Sequence, residues 1–107
     1  MSLTVYLVEE RLTDIFRYNI THNLGGMAVE AGIYNQLWQP ETIEIKKASQ
    51  LIKPLEDGLK RLRENPAKFM KFDTPNGWGA YKDLVSFVEK YLEACRSNPS
   101  AKIETHR

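Results

Sequence analysis

Apolar and polar positions along the chain fall into blocks of two different periods. Leu3 to Val8 is rich in β-branched and aromatic residues, and it is too short and wrongly spaced for an amphipathic helix; it predicts a strand. Near the other end, Ala101, Ile103 and Thr105 alternate with Lys102, Glu104 and His106 after an Asn98-Pro99-Ser100 turn, the period of a half-buried strand. The two terminal strands are expected to pair, giving a two-stranded antiparallel sheet that is stable only if it lies on the helices between.

Three helical stretches are predicted in that interval. The first opens at Thr21, whose hydroxyl suits an N-cap, and runs from His22 to Ala31 with Leu24, Met27, Ala28 and Ala31 on one face and Gly32 as its stop. Ile33, Tyr34, Leu37 and Trp38 continue the apolar surface up to Pro40, with Trp38 in the core or at its rim. The second carries Ala48, Leu51, Ile52, Leu55, Leu59 and Leu62 and ends at Asn65-Pro66. Pro54 inside it predicts a kink or a split, because an interior proline costs about 3 kcal/mol. The third, from about Gly79 to Ser97, shows the clearest stripe: Tyr81, Leu84, Val85, Val88, Tyr91, Leu92 and Cys95. Between the second and third lie a short turn holding Phe69 and Phe72 and a loop from Asp73 to Gly79. The pattern is that of one α+β domain over residues 1–107, predominantly helical.

Composition narrows the function classes. With 42% apolar and 27% charged residues, the chain has what a folded globule needs. Fifteen basic residues against fourteen acidic give a net charge of +1, too little for a general field drawing in nucleic acid or anionic membrane. The basic run Lys60-Arg61, Arg63, Lys68 and Lys71 is interleaved with Glu56, Asp57 and Glu64 and reads as a mixed solvated surface. No window holds the roughly 20 apolar residues of a membrane span, and the N-terminus lacks the basic start and long apolar core of a signal peptide. One cysteine, Cys95, excludes an internal disulfide, and with only His22 and His106 beside it a structural zinc site lacks ligands. A soluble cytoplasmic protein with no metal and no cofactor is expected.

Two polar segments stand out as candidate binding residues. Asn19, Thr21, His22 and Asn23 cluster at the start of the first helix, ahead of Gly25 and Gly26, where free amides and the helix dipole favour a phosphate or carboxylate. Asn76 and Trp78, flanked by Gly77 and Gly79, would present an aromatic ring on a loop for stacking. Each also has a plain structural explanation, Thr21 as a cap with a glycine pair for close packing, and Asn76-Gly77 as a turn with Trp78 as a staple. No Walker loop or dinucleotide fingerprint is present. Cys95 falls on an apolar stripe and reads as core.

The strings Asn19-Ile20-Thr21-His22-Asn23-Leu24 with Met27, and Asn76-Gly77-Trp78-Gly79 with Tyr81, resemble a family of small phage and bacterial proteins, over most of the chain and including Leu92, Cys95 and Pro99. The resemblance implies one domain architecture and supplies no activity. The expected function is a non-catalytic binding or accessory module whose pocket lies between residues 19–26 and 76–79, taking a small anion, a nucleotide or a polar segment of a partner protein. Two alternatives stand beside it. One is a small enzyme with His22 as general base and Asn19, Asn23 or Asn76 polarising the substrate. The other is a structural protein that dimerises through a terminal strand edge or through Tyr34 and Trp38.

Overall fold

The computed structural model describes residues 2–8, 14–73 and 79–107; Asn76 and Trp78 lie outside the described residues. Strand β1 (Ser2–Val8) runs antiparallel to β2 (Asp14–Thr21) and, on its other side, to β3 (Lys102–His106), so the sheet order is β2-β1-β3. The expected pairing of the two terminal strands is present, with Val5 opposite Thr105 and Leu7 opposite Ile103. The expected two-stranded sheet is corrected to three. Its extra strand carries a legible period of two, Phe16, Tyr18 and Ile20 turned inward and Arg17 and Asn19 turned outward, and it pairs Leu3 with Ile20, Val5 with Tyr18 and Leu7 with Phe16.

The helices follow from the same residues that predicted them. Thr21 caps as expected, its Oγ1 accepting from the Asn23 N–H at 3.2 Å, and starts a 3-10 turn, His22–Leu24, that runs into α1 (Gly25–Glu30). Gly32 ends this segment at φ +76°, where a side chain would be strained, and the Arg61 guanidinium lies over it while its Nε donates to the Ala31 carbonyl at 2.7 Å. Short α2 (Tyr34–Trp38) buries Leu37 and Trp38. Helix α3 (Ile52–Glu64) shows why Pro54 causes no break: it sits in the first turn, whose amides have no acceptor within the helix. After α4 (Pro66–Met70), α5 (Tyr81–Ser97) buries Leu84, Phe87, Val88, Tyr91, Leu92 and Cys95.

One core joins the layers. Leu3, Val5 and Leu7 of the sheet meet Leu55 and Leu62 of α3 and the buried face of α5, each fully excluded from solvent and each contributing about 1.5–3 kcal/mol. Gly58 is where α3 passes closest to its neighbour: a Cβ there would lie 2.3 Å from Ile33 Cγ2. The Tyr81 hydroxyl ties α5 to α3 by donating to the Leu62 carbonyl at 2.6 Å. No helix among the described residues is long and apolar enough to cross a membrane.

The outer side of β3 is covered at its start. Ile103 N–H donates to the Lys46 carbonyl at 3.0 Å, Ala48 N–H to the Ala101 carbonyl at 2.9 Å, and Lys47 bridges to Lys102. β1 is the central strand, Trp38 is only 2% exposed and Tyr34 is half-buried. Among the described residues no main-chain hydrogen bond from another element reaches the outer edge of β2.

Candidate functional site

The first polar cluster divides between two elements. Asn19 sits on the outer face of β2 and donates through Nδ2 to Ser2 Oγ at 2.9 Å and Thr4 Oγ1 at 2.8 Å, so both of its amide hydrogens serve the sheet. Thr21 ends the strand and caps the turn. His22 then points back to the core rim, its ring edge-on to Trp38 at 6.0 Å, with Trp38 stacked on Tyr34 at 5.1 Å. Its Nε2 is buried and has no hydrogen-bond partner. Among the described residues no carboxylate is hydrogen-bonded to the ring to orient it, as a general base requires. Asn23 is exposed on the turn.

The glycine pair serves packing. Tyr34 lies against Gly25 and Phe72 against Gly26, each about where a ligand would have to approach. Helix α1 is only six residues long, too short for a substantial dipole at its start. The long helix, α5, has its first amides already engaged by carboxylates: Ala80 N–H donates to Asp83 Oδ2 at 3.0 Å and Tyr81 N–H to Asp73 Oδ1 at 2.7 Å.

The end of the second segment reaches the first. Gly79, buried at φ +125°, packs so tightly on the turn that a Cβ would lie 3.0 Å from Thr21 Cγ2 and 3.4 Å from both Asn23 Cβ and Leu24 Cδ2. Next to this contact a hollow of about 230 Å³ opens between the end of β2 and the first turns of α5, lined by Tyr18, Asn19, Ile20, Thr21, Leu24, Asp83 and Ser86. Ile20 and Leu24 form its apolar part, and Asp83 and Ser86 supply a carboxylate and a hydroxyl. Asn19 and Thr21 are the members that the sequence singles out. Tyr18, Asp83 and Ser86 were missed, although Asp83 three residues after Ala80 has the spacing of a residue reaching back to a helix start.

Two wider hollows between α3 and α5 hold charges that neutralise each other, Arg63 with Glu89 at 2.8 Å and Arg96 with Glu56 at 2.6 Å. Within the basic run, Lys60 reaches Glu64 and Lys68 reaches Glu30, which leaves a mixed surface there. Burial pushes the Cys95 thiol up to about 12, so the residue is an inert part of the core. Among the described residues no three His, Cys, Asp or Glu side chains gather as a metal site.

Compared with known proteins, the chain matches no family model, no curated protein and no solved structure.

Proposed function

We propose that the chain is a non-catalytic binding module, an accessory protein of the phage and bacterial kind that its Asn19–Leu24 and Asn76–Tyr81 strings resemble. In this reading it works in the cytoplasm and takes a hydrogen-bond-donating group of a partner protein into the hollow beside β2. The observation that carries the reading is the pairing of an acceptor-rich wall, Asp83 and Ser86, with a consecutive stretch of strand, Tyr18 to Thr21. Size argues for one side chain rather than a nucleotide, since about 230 Å³ is below the roughly 300–1,000 Å³ of small-molecule pockets. Sign argues against an anion, because the Asp83 carboxylate would face it at short range. A lysine, arginine or amide side chain suits both. The cytoplasm suits a single cysteine that is buried and unpaired.

The test is binding to an array of extended peptides with lysine, arginine, asparagine or glutamine at the central position. Asp83→Asn keeps an oxygen for the Ala80 amide and removes the charge; combined with Ser86→Ala it is expected to lower affinity for lysine- and arginine-centred peptides about tenfold or more, with an unchanged melting temperature. Unchanged peptide affinity in that variant, or stabilisation of the wild-type protein by inorganic phosphate at the same residues, rejects the reading.

A further inference from the structure

We infer that β2 pairs with β2 of a second copy of this chain, joining two three-stranded sheets into one sheet of six. This inference does not rest on the ligand of the hollow, which is a matter of Asp83 and Ser86; it rests on the main chain of β2 and on the order of its side chains.

Strand β2 is last in the order β2-β1-β3, and among the described residues no main-chain hydrogen bond from another element reaches its outer side. Sheet edges are ordinarily blunted by shortness, lysine, proline, a bulge or a covering segment. Here the strand Asp14–Thr21 has no lysine or proline; its one irregularity is a bulge at its start, where Ile15 has no partner between Asp14 opposite Val8 and Phe16 opposite Leu7, and Phe16 to Thr21 pair in regular register. The six regular residues at about 3.3 Å each make an edge about 20 Å long. The other edge of the same sheet is closed at the start of β3 by the chain itself, through Lys46, Lys47 and Ala48.

The side chains select the occupant. Antiparallel pairing about a two-fold axis at Tyr18 sets Tyr18 opposite Tyr18 of the second copy, Phe16 opposite Ile20, and Arg17 opposite Asn19. Phe16, Tyr18 and Ile20 of both copies then share one face, and Arg17 and Asn19 the other, so that both parent sheets continue without a change of face. Phe16 and Tyr18, half-buried in one copy, gain apolar neighbours. No like charges face each other within the strand pair itself, and the Lys90 ammonium of each copy, 5.2 Å over its own Tyr18 ring, lies on the α5 side of the axis. Moving the axis to Arg17 would oppose two guanidinium groups, and moving it to Asn19 would leave only Arg17 to Thr21 in the ladder. The strand is therefore complementary to itself in one register, as an isologous interface requires.

Sedimentation velocity from micromolar to millimolar concentration tests the inference. A concentration-dependent dimer is expected. Asn19→Lys sets a lysine against Arg17 of the other copy, twice by symmetry, and is expected to raise the dimer dissociation constant about tenfold or more, while Asn19→Asp creates two opposite-charge pairs and lowers it several-fold. Circular dichroism and melting establish that both variants fold. Hydrogen exchange on the wild-type protein reads the same edge without substitution: the alternate amides of residues 16–21 that point away from β1 are expected to gain protection as concentration rises. A monomer throughout the range overturns the inference. So does a dimer that responds to both substitutions in the same direction, or one whose added protection falls instead on the exposed Val29, Ile43, Met70 and Phe72. A second copy on β2 would cover the strand stretch that lines the hollow, so peptide affinity is measured at protein concentrations below the dimer dissociation constant; there Asp83→Asn with Ser86→Ala reports on the hollow alone and sedimentation on the edge, and the two readings fail separately.

Discussion

The two outer strands of the sheet alternate apolar and polar residues in much the same way, yet the rest of the chain treats them differently. Along β3, the segment from Lys46 to Ser49 lays down three main-chain hydrogen bonds, to Ala101, Ile103 and Pro99, and Arg107 anchors the strand end by donating to the Trp38 carbonyl at 2.8 Å. Along β2, the neighbouring element is α5, which packs under the sheet through Tyr18 on Phe87 and Phe16 on Tyr91, and among the described residues no main-chain hydrogen bond closes the strand's flank. The difference teaches that a strand's own sequence decides which face it buries, while the connections around it decide whether its edge is closed. The flank of β2 is where the hollow lies and where a second copy would add.

The sharpest way to break this comparison is to remove the cover. Ile103→Pro deletes the donor to Lys46 and cannot fit the paired strand, and it is expected to cost about 2–4 kcal/mol in denaturant unfolding. A cost under about 1 kcal/mol would mean that the Lys46 segment does not hold the edge.

A middle-sized effect concerns the underside of the β2 edge. Tyr91 is fully buried, stacked on Phe16 at 5.7 Å, and its hydroxyl has no hydrogen-bond partner, with burial driving its pKa well above the ordinary tyrosine value. Tyr91→Phe is therefore expected to leave stability unchanged or to raise it by about 1 kcal/mol, since a buried unpaired hydroxyl costs more than it returns. The sign of the pH effect follows. The hydroxyl stays protonated in the folded protein and ionises in the unfolded chain, so its contribution is complete below about pH 10 and is lost as pH rises above that. Tyr91→Phe should flatten the alkaline fall in melting temperature. Marked destabilisation would mean that the hydroxyl bonds to a buried water.

The smallest effect belongs to the tail of β3. Glu41 is held below its ordinary value by a backbone hydrogen bond first and by the Arg107 side chain second. A depressed carboxylate stabilises the fold above the ordinary carboxylate range, and that contribution is lost as pH falls through its lowered folded value. The pair is exposed, so Glu41→Gln, which leaves the Arg107 bond to the Trp38 carbonyl in place, is expected to cost only a few tenths of a kcal/mol, detectable as faster amide exchange at residues 104–106 and smaller at high salt.

Much of the fold was legible. The stripe of α5, the cap at Thr21, the stop at Gly32 and the pairing of the terminal strands all follow from local spacing and from residues with one dominant conformational role. What escaped did so for physical reasons. Phe16, Tyr18 and Ile20 alternate cleanly, but Asn19 and Thr21 on the intervening positions also read as a polar lead into a helix, and the choice is made by Leu3, Val5 and Leu7 across the ladder. Pro54 was read by its position within an apolar stripe; its harmlessness depends on where the helix starts, which is set by the turn Ala48–Gln50. Of the candidate residues, Asn19 and Thr21 line the hollow, and His22 is turned to Trp38. Asp83 and Ser86 come to the site from more than sixty positions further along the chain, and no local pattern joins them to β2.

The central place of β1 has a consequence for how the molecule is made. Thr4 lies opposite His106, so the middle strand receives one partner from the adjacent hairpin and the other only after every other described element has been synthesised. Until then a nascent chain exposes one whole side of its most apolar strand, and closure must await a contact spanning nearly the full sequence, which slows folding and lengthens the exposure to other chains. Emergence of β3 is thus the committing step, and ribosome-bound chains stalled before Lys102 should show the β1–β2 hairpin without the finished sheet.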